Sequence, residues 1–190
     1  AERNAEDGIS LVQIAEGGLS EVSSILIRLR ELAVQAASDT IGATERKFLN
    51  VEFEQLVAET DRIANSTEFN RVPLLNGTGA VFDIQIGTRN DPLSDRLTFD
   101  ASSADVNVAA LGLNLASVAD KISAQNSLAA IDASIVSVSG IRADFGALQN
   151  RLQSTINNLQ VSVENLSAAN SRVRDADIAS ATAELTKSNI

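Results

Sequence analysis

The chain has 190 residues, 25 of them acidic and 15 basic, for a net charge of −10 and a pI near 4.4, which argues against a nucleic-acid role built on phosphate neutralisation by Lys and Arg. It contains no His, Cys, Trp, Tyr or Met, so thiol nucleophiles, disulfides, sulfur-ligated zinc and the usual base near neutral pH are excluded. Hydrophobic residues make up 44%, enough for a modest core, but no apolar run approaches the ~20 residues of a membrane span. The expectation is a protein that is not an enzyme, holds no cofactor or metal, and works through its surfaces.

From Ala5 to Ala36, apolar or small residues recur at steps of three and four: Ala5, Gly8, Val12, Ala15, Leu19, Val22, Leu26, Leu29, Ala33 and Ala36. A repeat near 3.5 predicts a helix over about 1–38 that needs a long helical partner. Arg28, Arg30 and Glu31 lie off that seam, on a presented face. Gly17 and Gly18 each cost about 1 kcal/mol relative to Ala. Gly18 shares a second stripe with Leu11, Ile25 and Leu32, so either a neighbouring backbone comes close there or the helix tolerates a flaw.

Turn formers at 38–44 end this helix, and Thr44 is the expected N-cap of a second over about 45–64. That helix carries Leu49, Phe53, Leu56, Thr60 and Ile63 on one stripe. The helical period stops at Asn65, and Asn76-Gly77-Thr78-Gly79 is a turn cluster. Over 80–100, Val81–Ile86 and Arg96–Asp100 alternate with period two around a turn, predicting a β-hairpin. A lone hairpin is marginal in water, so its apolar face should lie on a helix. Residues 100–117 read as irregular, with a short strand expected at Val106-Asn107-Val108.

The third helix is expected over about 119–185, with Leu128, Ile131, Ile135, Val138, Ile141, Phe145, Leu148, Leu152, Ile156, Leu159, Val163, Leu166, Ala169 and Val173 on its stripe. At ~1.5 Å per residue it is too long for a compact domain of this size. The fold class is therefore mainly α: an elongated antiparallel coiled-coil bundle of three helices with a small β-hairpin, forming one unit over 1–190. Neither end carries a helix-stop signal, so both are expected to continue longer helices.

Several motifs, in order, resemble bacterial flagellin: Arg3-Asn4-Ala5-Glu6-Asp7-Gly8-Ile9-Ser10, Glu16-Gly17-Gly18-Leu19, Leu29-Arg30-Glu31-Leu32-Ala33-Val34-Gln35, Thr67-Glu68-Phe69-Asn70, Leu148-Gln149-Asn150-Arg151-Leu152 and Ser171-Arg172-Val173-Arg174-Asp175-Ala176-Asp177. The resemblance implies a filament core domain without outer variable domains. It further implies self-assembly with other flagellin subunits for motility, an export chaperone and a cap as partners, and an extracellular filament exported without a cleaved signal peptide. The family's hairpin is linked to switching between subunit packings. After Phe69-Asn70 the family commonly carries Gly-x-Lys, whereas Arg71-Val72-Pro73 stand here, which leaves the local turn geometry open.

The same resemblance places a surface shared by subunit contacts and recognition by Toll-like receptor 5 on Arg28, Arg30, Leu32, Val34, Glu52, Ile131, Ile135 and Arg151. Ile27 stands where a Gln is common. Asp175 and Asp177 are read as a solvated face, since i and i+2 do not face each other on a helix. Two other readings remain: a hook–filament junction protein, and a secreted coiled-coil adhesin.

Overall fold

The computed structural model describes residues 1–189, those at 175–180 by backbone alone. Helix α1 spans Glu2–Ala36 and helix α3 spans Lys121–Ser188. They lie antiparallel: Glu2 meets Gln160, Glu16 meets Arg142, and Arg30 meets Asp132. Every position of the repeat read from the sequence, Ala5 through Ala36, is buried, and Leu11 and Leu32 join it from one flank. On α3 the facing seam is Ala124, Ile131, Val138, Phe145, Leu148, Leu152 and Ile156. Leu128, Ile135 and Ile141 are only partly buried and pack at its edge.

The α3 stripe does not stay buried along its expected length. Val163, Leu166 and Val173 are exposed, because α1 begins at Glu2, level with Gln160, and no partner from the described residues lies beyond. Two buried positions among the described side chains of α3 are polar. Ser127 Oγ accepts from the Ser117 amide at 2.9 Å and lies 3.0 Å from the Ser117 carbonyl, while Ser134 Oγ lies 2.8 Å from the Leu111 carbonyl. They fasten the 104–118 segment to α3 and satisfy backbone groups that burial would otherwise orphan.

Helix α2 spans Ala43–Ser66 and buries Phe53, Thr60, Ile63 and Ala64 against α1. Its N-cap is Gly42, not Thr44, and makes no side-chain cap bond. The Glu45 carboxylate, at the third helical position, folds back over Gly42 and fills the space a Cβ would need, half of a capping box. Arg46 closes the corner by donating to the carbonyls of Ala36 and Ser38, both at 2.7 Å; these belong to the end of α1, where carbonyls lack helical partners.

After α2, β1 (Glu68–Phe69) and β2 (Val72–Pro73) form a minimal antiparallel pair that the sequence reading did not anticipate. Its two central residues, Asn70 and Arg71, have φ of 49° and 65°, as a type I′ turn requires. The expected hairpin is present as β3 (Val81–Gln85) and β4 (Arg96–Asp100), with Phe82 opposite Phe99 and Ile84 opposite Leu97. Phe99 meets Phe145 of α3 at 5.0 Å between ring centroids, so the hairpin does lie on the helices. The strand expected at 106–108 is absent. A single bridge pairs Asn76 with Asp105, and the Val106 amide donates to the Leu75 carbonyl at 2.9 Å. A 3-10 turn, Ala101–Ser103, precedes it, and Asp120 caps α3 by accepting from the Ser123 amide at 2.9 Å.

Candidate interaction surface

The helical period that buries Leu26, Leu29 and Ala33 turns Ile27, Arg28, Arg30, Glu31 and Val34 outward. Arg28 and Arg30 lean to opposite sides of α1. Arg28 Nε donates to Glu52 Oε1 on α2 at 2.8 Å, and its Nη1 donates to Glu31 Oε2 at 3.0 Å. Arg30 Nε donates to Asp132 Oδ1 on α3 at 2.7 Å. The Glu52 hydrogen bond, then that of Glu31, holds the Arg28 guanidinium above its ordinary pKa, and Asp132 does the same for Arg30. All these side chains are about half exposed. Pairs so open to solvent add little stability, but they fix where two planar donors sit. Between them lie aliphatic side chains, Ile27 at 52% and Val34 at 50% exposure.

Five of the eight residues expected at this surface gather here: Arg28, Arg30, Val34, Glu52 and the half-buried Ile135. Leu32 and Ile131 do not belong to it. Both are fully buried, because each falls on the core-facing arc of its helix beside Leu29 and Ser134 respectively; they support the surface from beneath. Arg151 is exposed but lies about 24 Å further along α3 from Ile135, at helical rise. There it neighbours Leu93 and Arg96 of the hairpin, so it belongs to a different part of the rod. The carboxyl groups of Asp175 and Asp177 lie outside the described side chains.

Two residues of the surface escaped the sequence reading. Asp132 becomes visible only once the antiparallel register puts it beside Arg30. Phe48 is largely exposed on α2, one helical turn before Glu52 and on its face. Its signal was available, since it falls off the Leu49-Phe53-Leu56 stripe. Among the described residues no cluster of acidic side chains could hold a metal ion, and no helix is long and apolar enough to cross a membrane. A charged frame around exposed aliphatics is chemistry for binding a protein surface.

Comparison with known proteins points the same way. Residues 1–80 match the bacterial flagellin N-terminal helical region, and residues 128–190 match the bacterial flagellin C-terminal helical region. A flagellin of Halalkalibacterium halodurans is 43% identical over 190 residues, all of this chain and 69% of that protein. The flagellar filament 33 kDa core protein of Treponema phagedenis is 36% identical over 201 residues, spanning all of this chain and 70% of that protein. Among solved structures, Bacillus cereus flagellin superposes with a TM-score of 0.74 at 33% identity, covering 89% of this chain and 95% of the other. A putative flagellar hook-associated protein from Vibrio parahaemolyticus shares the fold at TM-score 0.64 and 18% identity, over 87% of this chain and 88% of the other.

Proposed function

Because the chain belongs to the bacterial flagellin family, whose members are structural and not enzymatic, we propose that this filament subunit serves motility and that its free monomer is recognised by Toll-like receptor 5. Flagellins polymerise with other flagellin subunits, and the flagellum they build lies outside the cell. The observation that carries the finer reading is the surface around Arg28 and Arg30: two positioned guanidiniums flanking Ile27 and Val34, with Glu52 and Ile135 at its sides. In the filament this face meets a neighbouring subunit; in the monomer it is free for a receptor. An export chaperone and a cap handle the subunit before it joins the filament.

Relatives at 43% and 36% identity are filament proteins, which favours a filament subunit over a hook–filament junction protein. Elongation is the discriminating experiment. The subunit should extend preformed filament seeds, and a junction protein or adhesin should not. For the receptor, Arg28→Ala and Arg30→Ala in the monomer should each lower receptor signalling about tenfold or more, the scale of losing one charged contact at the centre of an interface. Signalling at the parental level from both variants would remove the receptor from the proposal and leave the filament role intact.

A further inference from the structure

The tip of the β3–β4 hairpin, residues 87–95, is a densely bonded loop. The Asp91 carboxylate accepts from the Leu93 amide at 3.0 Å and the Ser94 hydroxyl at 2.7 Å, and its carbonyl accepts from the Asp95 amide at 2.9 Å. The Asp95 carbonyl takes the amides of Ile86 and Gly87 at 2.8 and 3.0 Å. Gln85 Nε2 donates to the carbonyls of Gly87 and Arg89, and Arg96 reaches Asn90. This scaffold holds out one apolar side chain. Leu93 is 95% exposed, more than any other large hydrophobic residue among those described. An aliphatic side chain fixed at the apex of an ordered loop is a preorganised anchor, because little entropy remains to be lost on docking.

The same chain offers a complementary receptor. Between α2 and the 107–116 segment lies a groove of about 690 Å³ lined by Val57, Val108 and Leu113, with the carboxylates of Glu54 and Asp61 in the same wall. Such a groove suits an aliphatic side chain with a cation close by. Arg89 supplies the cation: it is exposed, stands four residues before Leu93, and is in none of the ion pairs among the described residues. Charge makes the match consequential. Copies of a chain with net charge −10 repel unless local patches of opposite sign meet.

Tip and groove cannot meet within one molecule. The hairpin sits at the start of α1, with Ile84 against Gly8 and the Gln85 carbonyl accepting from Asn4, and its tip runs toward that end. The groove lies nearer Gly18, which packs on Thr67 just past the end of α2. The two are separated along the rod by on the order of 20 Å, at helical rise. We infer that Leu93 and Arg89 of one subunit dock into the Val57–Leu113 groove of the next, against Glu54 and Asp61. Two different patches meeting head to tail make a contact that propagates into an open filament. The inference rests on the filament-subunit reading and adds which surfaces touch.

The absence of cysteine makes the contact directly testable. Subunits carrying Leu93→Cys and subunits carrying Ala109→Cys, a groove residue, are copolymerised and mildly oxidised. A disulfide forms only when the two Cα atoms lie within about 4–7 Å, so mixed filaments should yield covalent dimers. Copolymers of Leu93→Cys with Val136→Cys, an exposed α3 position, should yield none. Separately, Leu93→Glu should fold as the parent does, since its side chain is solvated, yet raise the critical concentration for elongation by about tenfold or more. Intact mixed filaments without dimers, or Leu93→Glu elongating at the parental concentration, overturns the contact. A parent subunit that elongates no seeds overturns the filament reading and this contact with it.

Discussion

Gly17 and Gly18 are adjacent in α1 and have opposite surroundings. A Cβ on Gly17 would meet nothing within 4 Å, whereas one on Gly18 would lie 2.7 Å from Thr67 Oγ1 and 2.8 Å from Leu75 Cδ1. Gly18 therefore marks a close approach, and Gly17 is the tolerated flaw. Gly17→Ala should raise stability by about 1 kcal/mol through helix propensity alone. Gly18→Ala gains the same propensity but must push two packed side chains aside, and should lose about 1–2 kcal/mol net; urea unfolding of both variants measures the contrast. Arg71 is the other strained position. It holds φ 65° without being glycine, a region that costs an L-residue roughly 1–2 kcal/mol. Arg71→Gly should recover about 1 kcal/mol, less than the full strain because glycine also loosens the unfolded chain. No change in the urea midpoint would mean the turn relaxes freely in solution.

At the scale of elements, α3 is core only where α1 lies against it. Leu152 is fully buried against Gly8, while Leu166 lies on the same α3 stripe and is exposed. Leu152→Ala should cost about 2–5 kcal/mol, and Leu166→Ala within about 0.5 kcal/mol, both read from urea midpoints of the monomer. Equal losses would require a partner for the exposed half of α3. The loop before α3 is held in part by two buried hydroxyls, Ser127 and Ser134. Ser134 is buried at 2.8 Å from the Leu111 carbonyl, so Ser134→Ala should cost about 1–3 kcal/mol by stranding a buried acceptor.

Across the whole molecule, charge is nearly fixed over a wide pH range. With no His, Cys or Tyr, side-chain titration is confined to the carboxylates and to Lys47, Lys121, Lys187 and the arginines. Stability should be flat between roughly pH 6 and 9. Below that, Asp39 beside Lys121, Glu59 beside Arg62, and Asp91, Asp100 and Asp120, each bonded to a serine, have pKa values below the ordinary carboxylate range. A depressed folded pKa means the unfolded chain takes up protons first as pH falls. Their stabilisation is therefore complete above the unfolded value near 4 and is lost as pH drops through the lower folded values. Tm should be level from pH 6 to 9 and fall steeply below about 4; a marked fall between pH 9 and 6 would contradict this.

The sequence by itself determined the helices, the hairpin and the seam of α1, because a buried stripe must repeat at the helical period and a one-faced hairpin at period two. It also bounded the chemistry, since absent side chains cannot act. The outward face of α1 was legible for the same reason, as whatever the seam leaves over. Tertiary structure alone decided the rest. Helix register brought Asp132 to Arg30, and the packing of the hairpin put Arg151 beside Leu93 and Arg96, away from the surface around Arg28. Leu32 and Ile131 lay on apolar stripes of their helices and at the surface implied by the resemblance; both are fully buried, as the stripes require. The surface around Arg28 is thus a product of three helices meeting, although the stretch that carries it is contiguous in the chain.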